Sequence, residues 1–153
     1  MKTLAQPRDK AEILQRLRMV RTESARRWGR MTAPQMVCHL GDSFRMVIGQ
    51  RSVSHAAVPL PRPLIKWVAL YLPLPWPHGI RTRPEIDQCQ GGGTQPADFA
   101  EDIAQLEALL DVVTAPTRAF AWPQHPLFGA MSTADWLRWG YLHMDHHFRQ
   151  FSA

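Results

Sequence analysis

Seven histidines stand in this chain of 153 residues, and two of them, His143 and His147, are four apart in a segment patterned as a helix. That spacing stacks two imidazoles on one helix face with their Cβ atoms roughly 5–6 Å apart, close enough to share one divalent metal. Paired histidines on an exposed turn are also common without any ion. Three features favour the ion. The same face carries Trp136, Trp139, Gly140 and Gln150, so the rings point inward. Gly140, one turn earlier, leaves room beside a metal, although close helix packing would equally explain it. His39 borders the apolar stripe of another helical segment, and a core histidine needs a partner that a metal would supply. His146 lies about 100° off the His143/His147 face and is not expected to join them.

Three histidines without a fourth protein ligand make an open site, where water or a substrate completes the coordination. An ion there would lower the pKa of a bound water or thiol, or polarise a carbonyl. Position 144 is Met144, so the glutamate of a zinc-protease helix is missing and peptide hydrolysis is not expected. Asp42, one turn from His39, is either an acceptor orienting the His39 ring or a surface acid. His125, before Pro126, is either a substrate or proton-transfer contact or a loop histidine that fixes its own turn; the second is favoured. Cys38 reads as a small core residue. Trp136 and Trp139 read as core and pocket wall, with Trp136 kept among the substrate candidates.

The elements that position these residues are helices. Residues 8–22 carry Ile13, Leu17 and Val20 at helical spacing. A second helix begins at Thr32, which with Gln35 forms a capping-box pattern, and stops at Gly49. Seven of the 13 prolines lie between Pro59 and Pro84, so 51–95 is expected to be an irregular crossover with a short helix at 64–72. A third long helix starts near Pro96, with Phe99, Ile103, Leu106, Leu110 and Val113 on one face. A fourth follows Met131, capped by Ser132 or Thr133. The expected fold is all-α: one domain over 1–153, a four-helix bundle with a long Pro-rich crossover between helices 2 and 3.

Composition narrows the partners. The net charge of +5 belongs to residues 1–30, which hold nine of the 18 Lys and Arg against three acids; the rest of the chain sums to −1. Nucleic-acid binding through that basic helix is a distant third option, because no aromatic interleaving accompanies it. Leu64 to Trp76 is too short and too broken by Pro73 and Pro75 for a membrane span. Two cysteines and no apolar leader point to a reduced, cytoplasmic protein. The apolar Trp67–Trp76 surface is compatible with a homodimer.

Two stretches carry a resemblance. Thr32-Ala-Pro-Gln-Met-Val-Cys-His39-Leu-Gly-Asp42, and the run from His125-Pro-Leu-Phe-Gly129 through Ser132 and Trp136 to His143-Met-Asp-His-His147-Phe-Arg-Gln150, resemble the second- and fourth-helix motifs of the DinB-like superfamily. Arg27-Trp28-Gly29 and His-Pro-x-Phe-Gly are similar to a bacterial branch of it. The resemblance covers almost the whole chain. It implies a DinB-like bundle in which His39, His143 and His147 hold a divalent metal, often zinc or nickel. It also implies kinship with transferases that use low-molecular-weight thiols such as mycothiol or bacillithiol, and with maleylpyruvate isomerase. The expected function is thus a metal-dependent thiol transferase or isomerase acting on a small molecule. The alternative is a non-catalytic metal-binding or protein-interaction bundle whose Trp/Pro segment is a contact surface.

Overall fold

Capping chemistry sets where the helices begin. In the computed structural model, which describes residues 1–153, the Thr32 hydroxyl accepts from Gln35 N at 3.3 Å while the Gln35 side chain accepts from Thr32 N at 2.9 Å. This reciprocal pair opens α2 (Ala33–Val47). Ser132 and Asp135 form the same box before α5 (Thr133–Gln150). The remaining helices are α1 (Pro7–Met19), α3 (Arg62–Tyr71) and α4 (Phe99–Thr114). Five helices and no strand make the fold all-α.

The expected short helix at 64–72 runs Arg62–Tyr71, and two boundaries of the long helices differ by three residues. The first helix stops at Met19, three residues short of 22: Val20 is extended at ψ 137° yet only 1% exposed. It keeps its place in the apolar pattern without keeping helical backbone, which is why periodicity overran the end. The Pro96 start moves to Phe99 because the Asp98 carboxylate accepts from Glu101 N and sets the cap there.

The core lies where α2 packs on α4 and α1 on α5. Phe44, Leu40 and Met36 of α2 meet Leu106 and Leu110 of α4, with Ile13 and Leu17 of α1 and Met144 and Phe148 of α5 in the same buried cluster. Burying a Leu or Phe side chain contributes about 1.5–3 kcal/mol, so this cluster is the main stabilising term. Ion pairs tie α1 to its neighbours: Lys10–Asp111 and Arg18–Glu107 to α4, and Arg16–Asp145 to α5. With Lys2–Glu12 and Arg30–Asp87, five of the N-terminal cations are already matched to acids.

Between α2 and α4 the chain crosses over through α3 and two single 3₁₀ turns, Pro84–Ile86 and Gln88–Gln90. Helix α3 docks on α5 by burying Leu70, and through Lys66 and Tyr71, which both bond Asp135. Its outer side leaves Leu64 48% and Trp67 53% exposed. The rest of the crossover is fastened by Asp42. That carboxylate is fully buried and accepts from Arg45 Nη1, Gln88 Nε2, Thr94 N and Thr94 Oγ1, with Arg51 Nε at 3.2 Å. No helix is long and apolar enough to cross a membrane.

Candidate metal centre

The histidine predicted on α2 and the two predicted on α5 come together. His39 Nε2 stands 3.3 Å from His143 Nε2, and one ring nitrogen from each of His39, His143 and His147 lies within 4.8 Å of the others. The three rings meet edge to face, with centroids 4.9–5.3 Å apart. Helical spacing puts His147 one turn beyond His143, and the crossing of α2 and α5 brings His39 against both.

Two of the rings have their protons placed by neighbours. His39 Nδ1 lies 2.9 Å from the Ile86 carbonyl, an acceptor only, so Nδ1 carries the hydrogen and Nε2 keeps its lone pair. His147 Nδ1 lies 3.0 Å from Gln150 Oε1. The Gln150 amide cannot be turned over, because its Nε2 donates to the Trp28 carbonyl at 2.7 Å. His147 therefore also presents a bare Nε2. His143 Nδ1 is buried with no partner.

Burial pushes the pKa of His39 down, against the opposing hydrogen bond it donates to the Ile86 carbonyl and the charges of Asp42 and Asp87. Burial also pushes His143 and His147 well below the ordinary imidazole value, and mutual repulsion among the rings adds to it. All three are neutral at pH 7, the form that binds metal. This donor set fits an ion. Tetrahedral zinc with Zn–N of 2.0–2.1 Å needs nitrogens about 3.3–3.4 Å apart, the spacing of the His39–His143 pair.

The triad forms part of the wall of a cavity of about 1090 Å³. His143 and His147 sit deep in the fold, and their accessible surface opens into this cavity. Trp76 leans toward His143 at 6.1 Å, and Trp139 packs on it at 4.8 Å. Trp76 is anchored by its indole N–H to the Ala69 carbonyl at 2.8 Å, and His78 two residues on stacks on Trp28 at 4.0 Å. The strap 75–78 thus lies beside the triad. His146 stays out of it and joins Trp28, Trp76 and His78, with its pKa pushed down to about 4 by burial first and Arg149 second.

Other expected residues fall differently. Asp42 is neither a surface acid nor the acceptor for His39. Its side chain turns toward the crossover, and the Ile86 carbonyl takes the acceptor role. Asp42 acts at one remove, by holding Gln88 and Thr94, which follow Ile86 in the crossover. His125 fixes its own turn, as favoured: Nδ1 accepts from Leu127 N at 3.1 Å and Phe128 N at 3.2 Å. Its Nε2 therefore carries the hydrogen, and the ring lines the cavity as a donor. Burial drives its pKa down to about 3, which removes it as a proton acceptor near neutrality. Trp136 is 1% exposed and sits behind the site, packed on Trp122, Trp139 and His125, whereas Trp139 reaches the cavity. Gly140 does not clear space for an ion: a Cβ there would lie 2.7 Å from Leu4 Cδ1 and 3.3 Å from Phe44 Cε1, so it is a packing glycine. Cys38 is a core thiol, pushed up to about 12 mainly by burial and next by Asp102.

Sequence reasoning assigned no role to Gln150, although its place three residues after His147 on the same face was the available signal. Ile86 offered no signal, since it acts through its backbone.

A family described as Protein of unknown function (DUF1569) matches residues 6–153. The chain belongs to that family. No curated protein and no solved structure matches it.

Proposed function

We propose that this chain is a metal-dependent enzyme of DinB-like kind, a four-helix bundle of α1, α2, α4 and α5 that holds one zinc or nickel ion on His39, His143 and His147. The observation that carries the reading is the convergence of three neutral imidazoles, two of them with Nδ1 already committed to an acceptor. A tautomer fixed from behind is the usual support of a metal-binding histidine.

Bound there, the ion would acidify a thiol or a water, giving a nucleophile at neutral pH. The chain's own residues do the rest. Ile86 and Gln150 keep two rings aimed at one point. Trp76 and Trp139 wall the triad and reduce water access. His125 offers an Nε2–H donor to a polar atom of a small molecule in the cavity. Thiol transfer from a low-molecular-weight thiol, or thiol-dependent isomerisation, is the reaction class this supports.

Elemental analysis of the purified protein should find about one divalent ion per chain, lost in His143→Ala. Full retention of metal by that variant refutes the triad. Transfer of a small thiol to a generic electrophile, abolished by chelator and restored by zinc or nickel, supports catalysis. An ion with no such transfer supports the non-catalytic metal-binding bundle instead.

A further inference from the structure

The cavity beside the triad has a lopsided chemistry. Its lining includes Leu60, Leu64 and Val68 of the α3 region with Leu74 and Ile80, which flank the strap in the chain; these apolar side chains are 41–64% exposed. Leaving this much aliphatic surface open is unfavourable unless something covers it. The same lining holds three arginines, Arg30, Arg81 and Arg83, against a single acid, Asp87. That acid is buried and already used. It takes Arg30 at 3.6 Å, Cys89 N at 3.0 Å and Gln90 Nε2 at 3.0 Å.

One arginine is left over. Arg83 is engaged: its Nη2 donates to Ser54 Oγ at 2.6 Å, and its charge helps to lower the pKa of the Glu85 carboxyl. Its Nε has no partner but is closed off from solvent, and so from a ligand in the cavity. Arg81 is exposed and bonds no acid, and an anionic oxygen is the natural complement of a guanidinium. His125 adds a donor: it is only 7% exposed, its Nδ1 is filled by two backbone N–H groups, and the ring that carries the Nε2–H lines the cavity.

The geometry points to an amphipathic organic anion as the ligand of this cavity: an aliphatic or aromatic body against α3 and the strap, and a carboxylate or sulfonate held by Arg81, with Arg83 adding positive charge to the same lining. The cavity volume of about 1090 Å³ accommodates a molecule of this kind with room for a second small one. A neutral apolar molecule leaves the exposed Arg81 without a counter-charge. A small hydrophilic anion leaves the aliphatic wall bare. A cation meets the arginines. This rests on the triad reading only for where the ligand's reacting end lies; the class of ligand follows from the wall and the arginines alone.

The test uses two fluorescent probes with closely related ring systems, 8-anilinonaphthalene-1-sulfonate, which is anionic, and N-phenyl-1-naphthylamine, which is neutral. Both are titrated into the full chain, chelated and metal-loaded. The sulfonate should bind at one site, more tightly than the amine, and be displaced by decanoate but not by decanol. Arg81→Glu should weaken the sulfonate about tenfold and leave the amine unchanged, with Arg81→Lys restoring most of the loss. Raising the salt concentration should mimic Arg81→Glu for the sulfonate alone. Val68→Asn should weaken both probes. Equal affinity for the two probes with no response to Arg81→Glu overturns the proposal, as does sulfonate binding that decanoate fails to displace. Metal content is measured on the same samples, so loss of the triad reading and loss of the ligand class appear as separate results.

Discussion

Replacing Gly29 by alanine should damage both the stability of the protein and its hold on metal, through one hydrogen-bonded amide. Gly29 has φ +82°, and a Cβ there would stand 2.4 Å from Gln150 Nε2. The left-handed backbone alone costs a residue with a β-carbon about 1–2 kcal/mol. Moving the Gln150 amide breaks its bonds to the Trp28 carbonyl and His147 Nδ1, each worth about 1 kcal/mol net. The sum is about 3–4 kcal/mol. Gly49 supplies the control, since it has φ +78° with nothing within 4 Å of its Cβ position. Gly49→Ala should therefore cost only the backbone part, about 1–2 kcal/mol.

A double-mutant cycle isolates the contact. Gln150→Ala removes the same two bonds without backbone strain. On that background Gly29→Ala should cost about 1–2 kcal/mol, leaving a coupling of about 2 kcal/mol. Urea unfolding of the chelated protein, followed by tryptophan fluorescence, measures all four corners. Metal affinity should fall about 10–100-fold in Gln150→Ala and in Gly29→Ala, and no further in the double variant, because His147 is freed once. An equal cost of Gly29→Ala on both backgrounds refutes the contact. Unchanged metal affinity in Gln150→Ala refutes the orienting role of Gln150.

Three further perturbations address other parts of the structure. Gly140→Ala should destabilise by about 1–3 kcal/mol through Leu4 and Phe44 while leaving one ion per chain, as checked by unfolding and elemental analysis. His125→Ala strips the acceptor from two backbone N–H groups and should cost about 2–4 kcal/mol; His125→Asn, whose carbonyl oxygen can stand in for Nδ1, should recover a good part of it in the same assay. Stability of the chelated protein should fall as the pH drops below about 6.5. His125 has its pKa lowered to about 3 in the fold, so between those values the unfolded chain binds more protons and stability rises with pH. His125 alone contributes a slope of up to about 1.4 kcal/mol per pH unit in that window, and His125→Asn should flatten the curve accordingly.

What was legible in the sequence is what a single helix dictates. The four-residue spacing of His143 and His147, the Thr32/Gln35 box, a cap at Ser132 or Thr133, and the core faces of α2 and α4 depend only on helical geometry and neighbours within a turn. What was not legible depends on residues far apart in the chain. Asp42 is one turn from His39, which made it a plausible partner by spacing, but spacing does not say which distant groups compete for the carboxylate. Its side chain reaches Arg51, Gln88 and Thr94 in the crossover. Gly140 read either as clearance for an ion or as a packing glycine because nothing in the sequence places Leu4 against it; Leu4 arrives from before α1, held by its backbone bond to the Leu137 carbonyl.

The same distinction bears on how the site works. The local pattern supplies three imidazoles, but it leaves their tautomers free, and a ring with its proton on Nε2 cannot bind a metal through that atom. Both protons that are fixed are fixed by contacts across the chain: Ile86 from the crossover for His39, and the Trp28 carbonyl acting through Gln150 for His147. The Pro-rich segment, which reads in the sequence as an interruption of the helices, thus carries one of the two orienting groups, the Trp76 wall and two of the cavity's three arginines, Arg81 and Arg83. Asp42, buried at the α2 end of that segment, is where its position is set. The triad and its cavity are therefore one structure: loosening the crossover at Asp42 releases the His39 tautomer and the cavity wall together.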